Sequence, residues 1–130
     1  MSEVAGGSVA LEPEGYVLIQ FVGDQNYQTV DELCREVLKF VDRLQGEHKP
    51  LLGLVDLSRQ TGFNTGSNKA ALESLSKVNY DKAALVSDND LFAGLAKMII
   101  KALGKDDRTK FFETREEAVA WLLMKDPLKG

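Results

Sequence analysis

The sequence predicts one α/β domain: a mixed, mostly parallel five-stranded sheet with about four helices, in the order β-β-α-β-α-β-α-β-α. Three observations predict it. Pro50 to Ser58 is a near-continuous apolar run, opened by proline and closed by polar residues, as a strand covered on both faces requires. Strand-length apolar segments alternate with segments whose apolar residues recur at helical spacing, the pattern of parallel strands joined by right-handed crossovers. A chain of 130 residues suits a single domain, here residues 1–130, with an ordinary hydrophobic core.

Residues 1–7 are expected to form a flexible tail. Ser8 to Leu11 and Tyr16 to Val22 flank Glu12-Pro13-Glu14-Gly15, whose proline and glycine suit a turn, so the two segments read as an antiparallel hairpin. Gly23-Asp24-Gln25-Asn26 breaks the second strand. Thr29-Val30-Asp31-Glu32 has capping-box spacing and is expected to start a helix that runs to about Gln45, with Leu33, Val37, Leu38, Val41 and Leu44 as its apolar stripe. Gly46 stops it.

The central strand is expected to leave through a polar loop, Arg59 to Ser67. Thr65 or Ser67 would cap the next helix, which turns Ala71, Leu72, Leu75 and Val78 inward. Lys82 to Ser87 gives another strand, and Asp88 or Asn89 caps a helix over Asp90 to Leu103. Leu91, Leu95, Met98 and Leu103 share one face of that helix, and Phe92, Ile99 and Ile100 widen it; Gly104 ends it. Thr109 to Phe112 is the last strand. Thr114-Arg115-Glu116-Glu117 starts a closing helix that turns Ala118, Trp121 and Leu122 inward, and Pro127 and Gly130 end the chain.

Composition narrows the function classes. A hydrophobic fraction of 44% with 28% charged residues is that of a globular protein, and a formal net charge of -4 gives no electrostatic footprint for nucleic acid. The single cysteine, Cys34, allows no intramolecular disulfide and reads as a filler at the core edge. The first residues lack a basic segment followed by an apolar one, and the apolar region Leu91 to Leu103 is interrupted by Lys97 and Lys101. A cytoplasmic protein without a transmembrane segment is expected.

The closing half carries a resemblance. Tyr80 to Asp88, the amphipathic helix after it, and above all Phe112-Glu113-Thr114-Arg115-Glu116-Glu117-Ala118-Val119-Ala120-Trp121-Leu122 resemble the SpoIIAA-like branch of the STAS superfamily, and Asp56-Leu57-Ser58 resembles the Asp-Leu-Ser that closes the central strand of STAS domains. Over Ser8 to Met124 the resemblance implies the STAS arrangement of helices on a mixed sheet. It also implies kinship with anti-sigma-factor antagonists and with the CRAL-TRIO lipid-binding fold. Those antagonists carry Asp-Ser-Ser-Gly at the helix start, the second serine being the kinase target; here the corresponding run is Asn64-Thr65-Gly66-Ser67, with glycine at the acceptor position. Only displaced acceptors, Thr65 or Ser67, remain.

Parallel strands would bring Asp56 to Ser67, Ser87 to Asp90 and Glu113-Thr114 to one edge, where helix amino termini converge. The candidate interaction or phosphoacceptor loop is therefore Asp56, Ser58, Asn64, Thr65, Ser67 and Lys69. Gly62 to Lys69 lacks the glycine spacing and the adjacent Lys-Ser/Thr pair of a phosphate-binding P-loop. Asp24, Asp56 and Asp88 each follow a strand, where aspartate ordinarily serves turns and caps, so no metal is expected. His48 falls at the far end of the central strand and makes no triad. No cofactor is expected. In the third helix Lys97, Lys101 and Lys105 recur every four residues beside a broad apolar surface, and Phe92, Lys97, Ile100 and Lys101 form a candidate docking helix.

The leading expectation is a non-catalytic regulatory or protein-interaction module of STAS type, with a protein partner or a second copy as its occupant. The alternative is a binder of a small apolar or lipid-like ligand in a helix-sheet pocket. A carboxylate- or metal-dependent enzyme comes third, with no motif of its own.

Overall fold

The computed structural model describes residues 2–124. Its elements are β1 (Ser2–Val4), β2 (Gly7–Leu11), β3 (Val17–Asp24), α1 (Tyr27–Gly46), β4 (Leu52–Gly62), α2 (Thr65–Leu75), β5 (Lys82–Val86), α3 (Asp90–Ala102), a 3-10 turn (Asp106–Arg108), β6 (Thr109–Phe112) and α4 (Arg115–Leu123). The six strands lie side by side in chain order. β1, β2 and β3 form an antiparallel meander, and β3 to β6 are parallel. The ends expected at Pro127 and Gly130 lie outside the described residues.

Chain-order winding fixes where the helices go. Each right-handed crossover advances one strand in the same direction, so α1, α2 and α3 cover one face of the sheet. Strand alternation agrees: Val17 and Ala83 pack with Leu33, Val41 and Leu44 of α1, and Leu57 and Leu85 pack with Phe92 and Ile100 of α3. The intervening residues, Leu18, Leu54, Ala84 and Val86, face the other way and carry Ala118 and Leu122 of α4.

Several boundaries differ from the expectation. Ser2–Val4 is not tail but a sixth strand, paired with β2 through a turn at Ala5-Gly6. Gly7 permits the tight approach at φ +146°, where an added Cβ would lie 1.7 Å from the Gln20 carbonyl oxygen. The hairpin turn falls where predicted: Gly15 N–H donates to Glu12 O at 2.9 Å. α1 starts three residues early because Asn26, not Thr29, is the cap; Asn26 Oδ1 accepts from Thr29 N, and Thr29 Oγ1 accepts from Asn26 N.

β4 is longer than its apolar run. Arg59, Gln60 and Gly62 pair with Val22, Gly23 and Asp24, so most of the expected loop is strand and only Phe63-Asn64 remains between β4 and α2. Between Gln20 and Val22 of β3 the partner strand advances from Asp56 to Arg59, one residue more, which is a bulge. Polar side chains hid this extension, because the last part of β4 pairs through its backbone rather than through a buried face. Helix α3 also presents a different face than its periodicity suggested: Phe92 and Ile100 are buried, while Leu91 and Met98 are 67% and 70% exposed.

Candidate functional site

The carboxyl ends of β3, β4, β5 and β6 each lead directly into a helix start, as the parallel pairing requires. Every one of those starts is capped from within. Asn26, Asn64, Asn89 and Thr114 each accept a hydrogen bond from a first-turn amide of their own helix.

The predicted loop residues separate onto the two faces of the sheet. Asp56 is 5% exposed and turns toward α4, where Arg115 Nη2 donates to Asp56 Oδ2 at 2.7 Å. Its other oxygen accepts from Ser58 N at 2.9 Å and Ser58 Oγ at 2.6 Å. Burial pushes the Asp56 carboxyl up, yet the bond from Arg115, the two bonds from Ser58 and the Arg115 charge outweigh it and hold the group below its ordinary value. With both oxygens engaged, Asp56 joins β4 to the first turn of α4. Nothing in the residue types of Asp56-Leu57-Ser58 had pointed to Arg115 as the partner.

Asn64, Thr65, Ser67 and Lys69 belong to the α2 side. Asn64 is the cap and Ser67 completes the capping box: Ser67 N donates to Asn64 Oδ1 at 2.9 Å, and Asn64 N donates to Ser67 Oγ at 2.9 Å. Ser67 Oγ also donates to Asn64 O at 2.8 Å, and the residue is 4% exposed. Thr65 and Lys69 are exposed. The two displaced acceptors are thus unlike each other, one open to solvent and one closed inside the cap.

In the predicted docking helix, Phe92 and Ile100 sit in the core with Leu57 and Leu85, which removes them from any docking face. Lys97 and Lys101 are exposed, with Lys97 Nζ over the Phe111 ring at 5.2 Å. Lys105 leaves the stripe: it lies past the helix and its Nζ donates to Val78 O at 2.5 Å. Asp24 receives the Thr61 hydroxyl at 2.5 Å, and among the described residues no three His, Cys, Asp or Glu side chains gather around a metal position.

What the sequence placed only in general terms is a cavity. It lies between the sheet and α1, α2 and α3, has a volume of about 190 Å³, and opens to solvent. Ile19, Val55 and Leu85 of the sheet, Val37 of α1, Leu75 of α2 and Ile99 of α3 are among its walls. Small residues create it: Gly53 and Ala83 on the sheet face Ala71 on α2 and Ala96 on α3. A Cβ added at Gly53 would meet no atom within 4 Å, near the start of the parallel strand β4, where glycine is otherwise unfavourable. Cys34 and Ser74 reach the wall, where burial pushes the Cys34 thiol up against the bond to Ser74, so the thiol form is favoured. Among the described residues no Asp, Glu, Lys, Arg or His lines the cavity.

With the sheet order and both helical layers established, the comparisons with known proteins bear on the same span. A family model described as SpoIIAA-like matches residues 17–123. The chain belongs to the SpoIIAA-like family. The match runs from the start of β3 to the end of α4 and so takes in the cavity and the Asp56–Arg115 pair. Among solved structures, the chain is similar to an uncharacterised protein of the DUF3478 family with a SpoIIAA-like fold from Shewanella loihica PV-4, at 16% identity and a TM-score of 0.71, over 94% of this chain and 98% of that one. That likeness concerns the fold. A search of curated proteins returned no match. Among the described residues of this SpoIIAA-like chain, no helix is long and apolar enough to cross a membrane.

Proposed function

We propose that this SpoIIAA-like chain is a STAS-type binding module that takes up a small apolar molecule in the cavity between its sheet and α1 to α3. The observation that carries the reading is the open space over Gly53, walled by apolar side chains and without a charged group among the described residues. A close-packed interior rarely leaves such a void, and at about 190 Å³ it exceeds the roughly 150 Å³ apolar cavity that stays dry and admits benzene. The volume suits one ring or a short alkyl chain and is below the roughly 300 Å³ at which drug-sized pockets begin. Binding is favoured over catalysis because the wall offers neither a carboxylate nor an imidazole, and its one thiol is held protonated.

Benzene and Gly53→Leu test the reading. Benzene should shift the amide resonances of β4, α2 and α3 in the unaltered protein, and Gly53→Leu, which fills the space, should abolish those shifts while leaving the spectrum that of a folded protein. Absence of benzene-dependent shifts in the unaltered protein would remove the proposal.

A second reading, self-association, is favoured by the exposed flank of α3. Leu91 and Met98 border a shallow groove with Phe63, Gly94 and Leu95, while exposed Asp90 stands at one end of the helix and exposed Lys97 and Lys101 toward the other. Two such helices packed antiparallel about a two-fold axis would bring Asp90 of each toward the lysines of the other. Sedimentation velocity over a concentration series tests it, and a monomer at every concentration would exclude it.

A further inference from the structure

We infer that the preferred occupant of the cavity is an uncharged amphiphile, an apolar ring or short chain bearing one hydroxyl or carbonyl group, whose polar end is received by Asn68 and Gln60. The inference rests on the cavity reading above and assigns the ligand's chemistry.

The polar side chains in the wall are not equivalent. Gln25 is fully engaged: its Nε2 donates to Gly6 O at 3.0 Å and Val22 O at 3.2 Å, and its Oε1 accepts from Thr29 Oγ1 at 2.9 Å. Ser67 is held in the α2 cap, Ser74 bonds with the Cys34 thiol, and Tyr80 Oη pairs with Thr109 Oγ1 at 2.6 Å. Two groups differ. Gln60 Nε2 donates to Gly62 O at 3.2 Å, and its Oε1 has no partner among the described residues. Asn68, half-buried in the first turns of α2, makes no side-chain hydrogen bond among them, although its backbone N–H completes the helix by donating to Asn64 O. Asparagine is a poor helix former whose amide serves caps and turns; here it does neither and instead lines an apolar cavity.

Those two groups define what the polar end can be. Asn68 offers a donor and an acceptor, and Gln60 Oε1 an acceptor, so a hydroxyl is matched by both and a carbonyl by the Asn68 amide N–H. A carboxylate, phosphate or ammonium is disfavoured, because no described residue in the wall supplies a counter-charge and burying an unpaired ion is costly. Val41, Val78 and Ile100, also in the wall, are apolar and fit the hydrocarbon part.

The test compares three probes of similar shape, benzene, phenol and benzoate, by titration calorimetry at pH 7 on the unaltered chain and on Asn68→Leu, with Asn68→Ala as the second variant should leucine perturb folding. Phenol should bind the unaltered chain about tenfold more tightly than benzene, the factor one ordinary hydrogen bond supplies, and benzoate more weakly than phenol. Either substitution should weaken phenol toward the level of benzene, Gln60 Oε1 keeping any remainder, while benzene binding persists. Equal binding of benzene and phenol by the unaltered chain, a phenol preference undiminished by both substitutions, or benzoate binding as tight as phenol would overturn the assignment of the head group and leave the cavity reading standing. Failure of all three probes would overturn both.

Discussion

The Asp56 carboxylate and the Arg115 guanidinium meet at 2.7 Å across the face of the sheet opposite the cavity, joining the bulged middle of β4 to the first turn of α4. Ser58, two residues on, closes the other carboxylate oxygen. The bulge inserts its extra residue just after Asp56, and Leu57 still enters the core beside Leu85. Loss of the pair would free the closing helix at its amino end.

The pair sets a pH dependence whose sign follows from the direction of the Asp56 shift. A carboxyl held below its ordinary value in the folded state contributes stability that is fully present above the unfolded-state value of about 4 and is lost as pH falls through the lower folded value. Asp56→Asn keeps the shape and removes the charge. It should cost about 1–3 kcal/mol at pH 7, less than a fully enclosed pair because the Arg115 side chain is 41% exposed, and the difference from the unaltered protein should shrink below about pH 4. Urea midpoints at a series of pH values read this directly. A difference that stayed constant from neutral to acid conditions would show that the ion pair is not its source.

Two glycines at positive φ separate backbone strain from collision. Gly15, at φ +103°, has open space where a Cβ would go, whereas at Gly7 that Cβ would lie 1.7 Å from Gln20 O. Gly15→Ala should therefore cost about 1–2 kcal/mol, the penalty of left-handed backbone alone. Gly7→Ala should cost clearly more, because β2 cannot keep its register against β3 without moving Gln20. Denaturant unfolding that ranked the two equally would refute the steric account.

The layered architecture was legible because it rests on apolar periodicity: the hairpin, the central strand and the four helices all follow from which side chains are hidden. What periodicity does not encode was missed. β1 pairs through backbone and a glycine turn, with a single intermediate-exposure valine, Val4, at its end, so its residues read as a tail. The extension of β4 to Gly62 is likewise polar and backbone-paired. In α3 the apolar residues cover so much of the circumference that spacing alone could not choose between the Leu91/Met98 flank and the Phe92/Ile100 flank; only the position of β4 and β5 beneath the helix decides it. The cavity had a sequence signature, Gly53 inside an otherwise large-residue strand, but its meaning depended on Ala71, Ala83 and Ala96 facing the same space.

The exposed flank of α3 gives a prediction with two readouts. Leu91→Ser with Met98→Ser removes side chains that are mostly in water, so thermal stability should change by no more than about 0.5 kcal/mol per site. If the flank pairs two chains, the same double substitution should lower the sedimentation coefficient at high concentration to that of the monomer. A large loss of stability in a monomeric protein would mean that these residues pack inside the domain.

Asn64, Thr65 and Ser67 span three consecutive roles at the start of α2, and a negative charge should act differently at each. Asn64→Ala removes the side-chain cap and should cost about 0.5–2 kcal/mol. Thr65→Glu adds charge at an exposed position beside free first-turn amides and should leave stability unchanged or raise it by about 0.3–1 kcal/mol, an effect that fades with added salt. Ser67→Glu must place a longer, charged group where a hydroxyl bonded to Asn64 sits 4% exposed against the cavity wall, so it should destabilise. A modification that switches the folded protein through this segment would therefore act on Thr65. Urea midpoints falling in the order Thr65→Glu above Ser67→Glu are the expected result; equal midpoints would show that Ser67 is open and restore it as an acceptor.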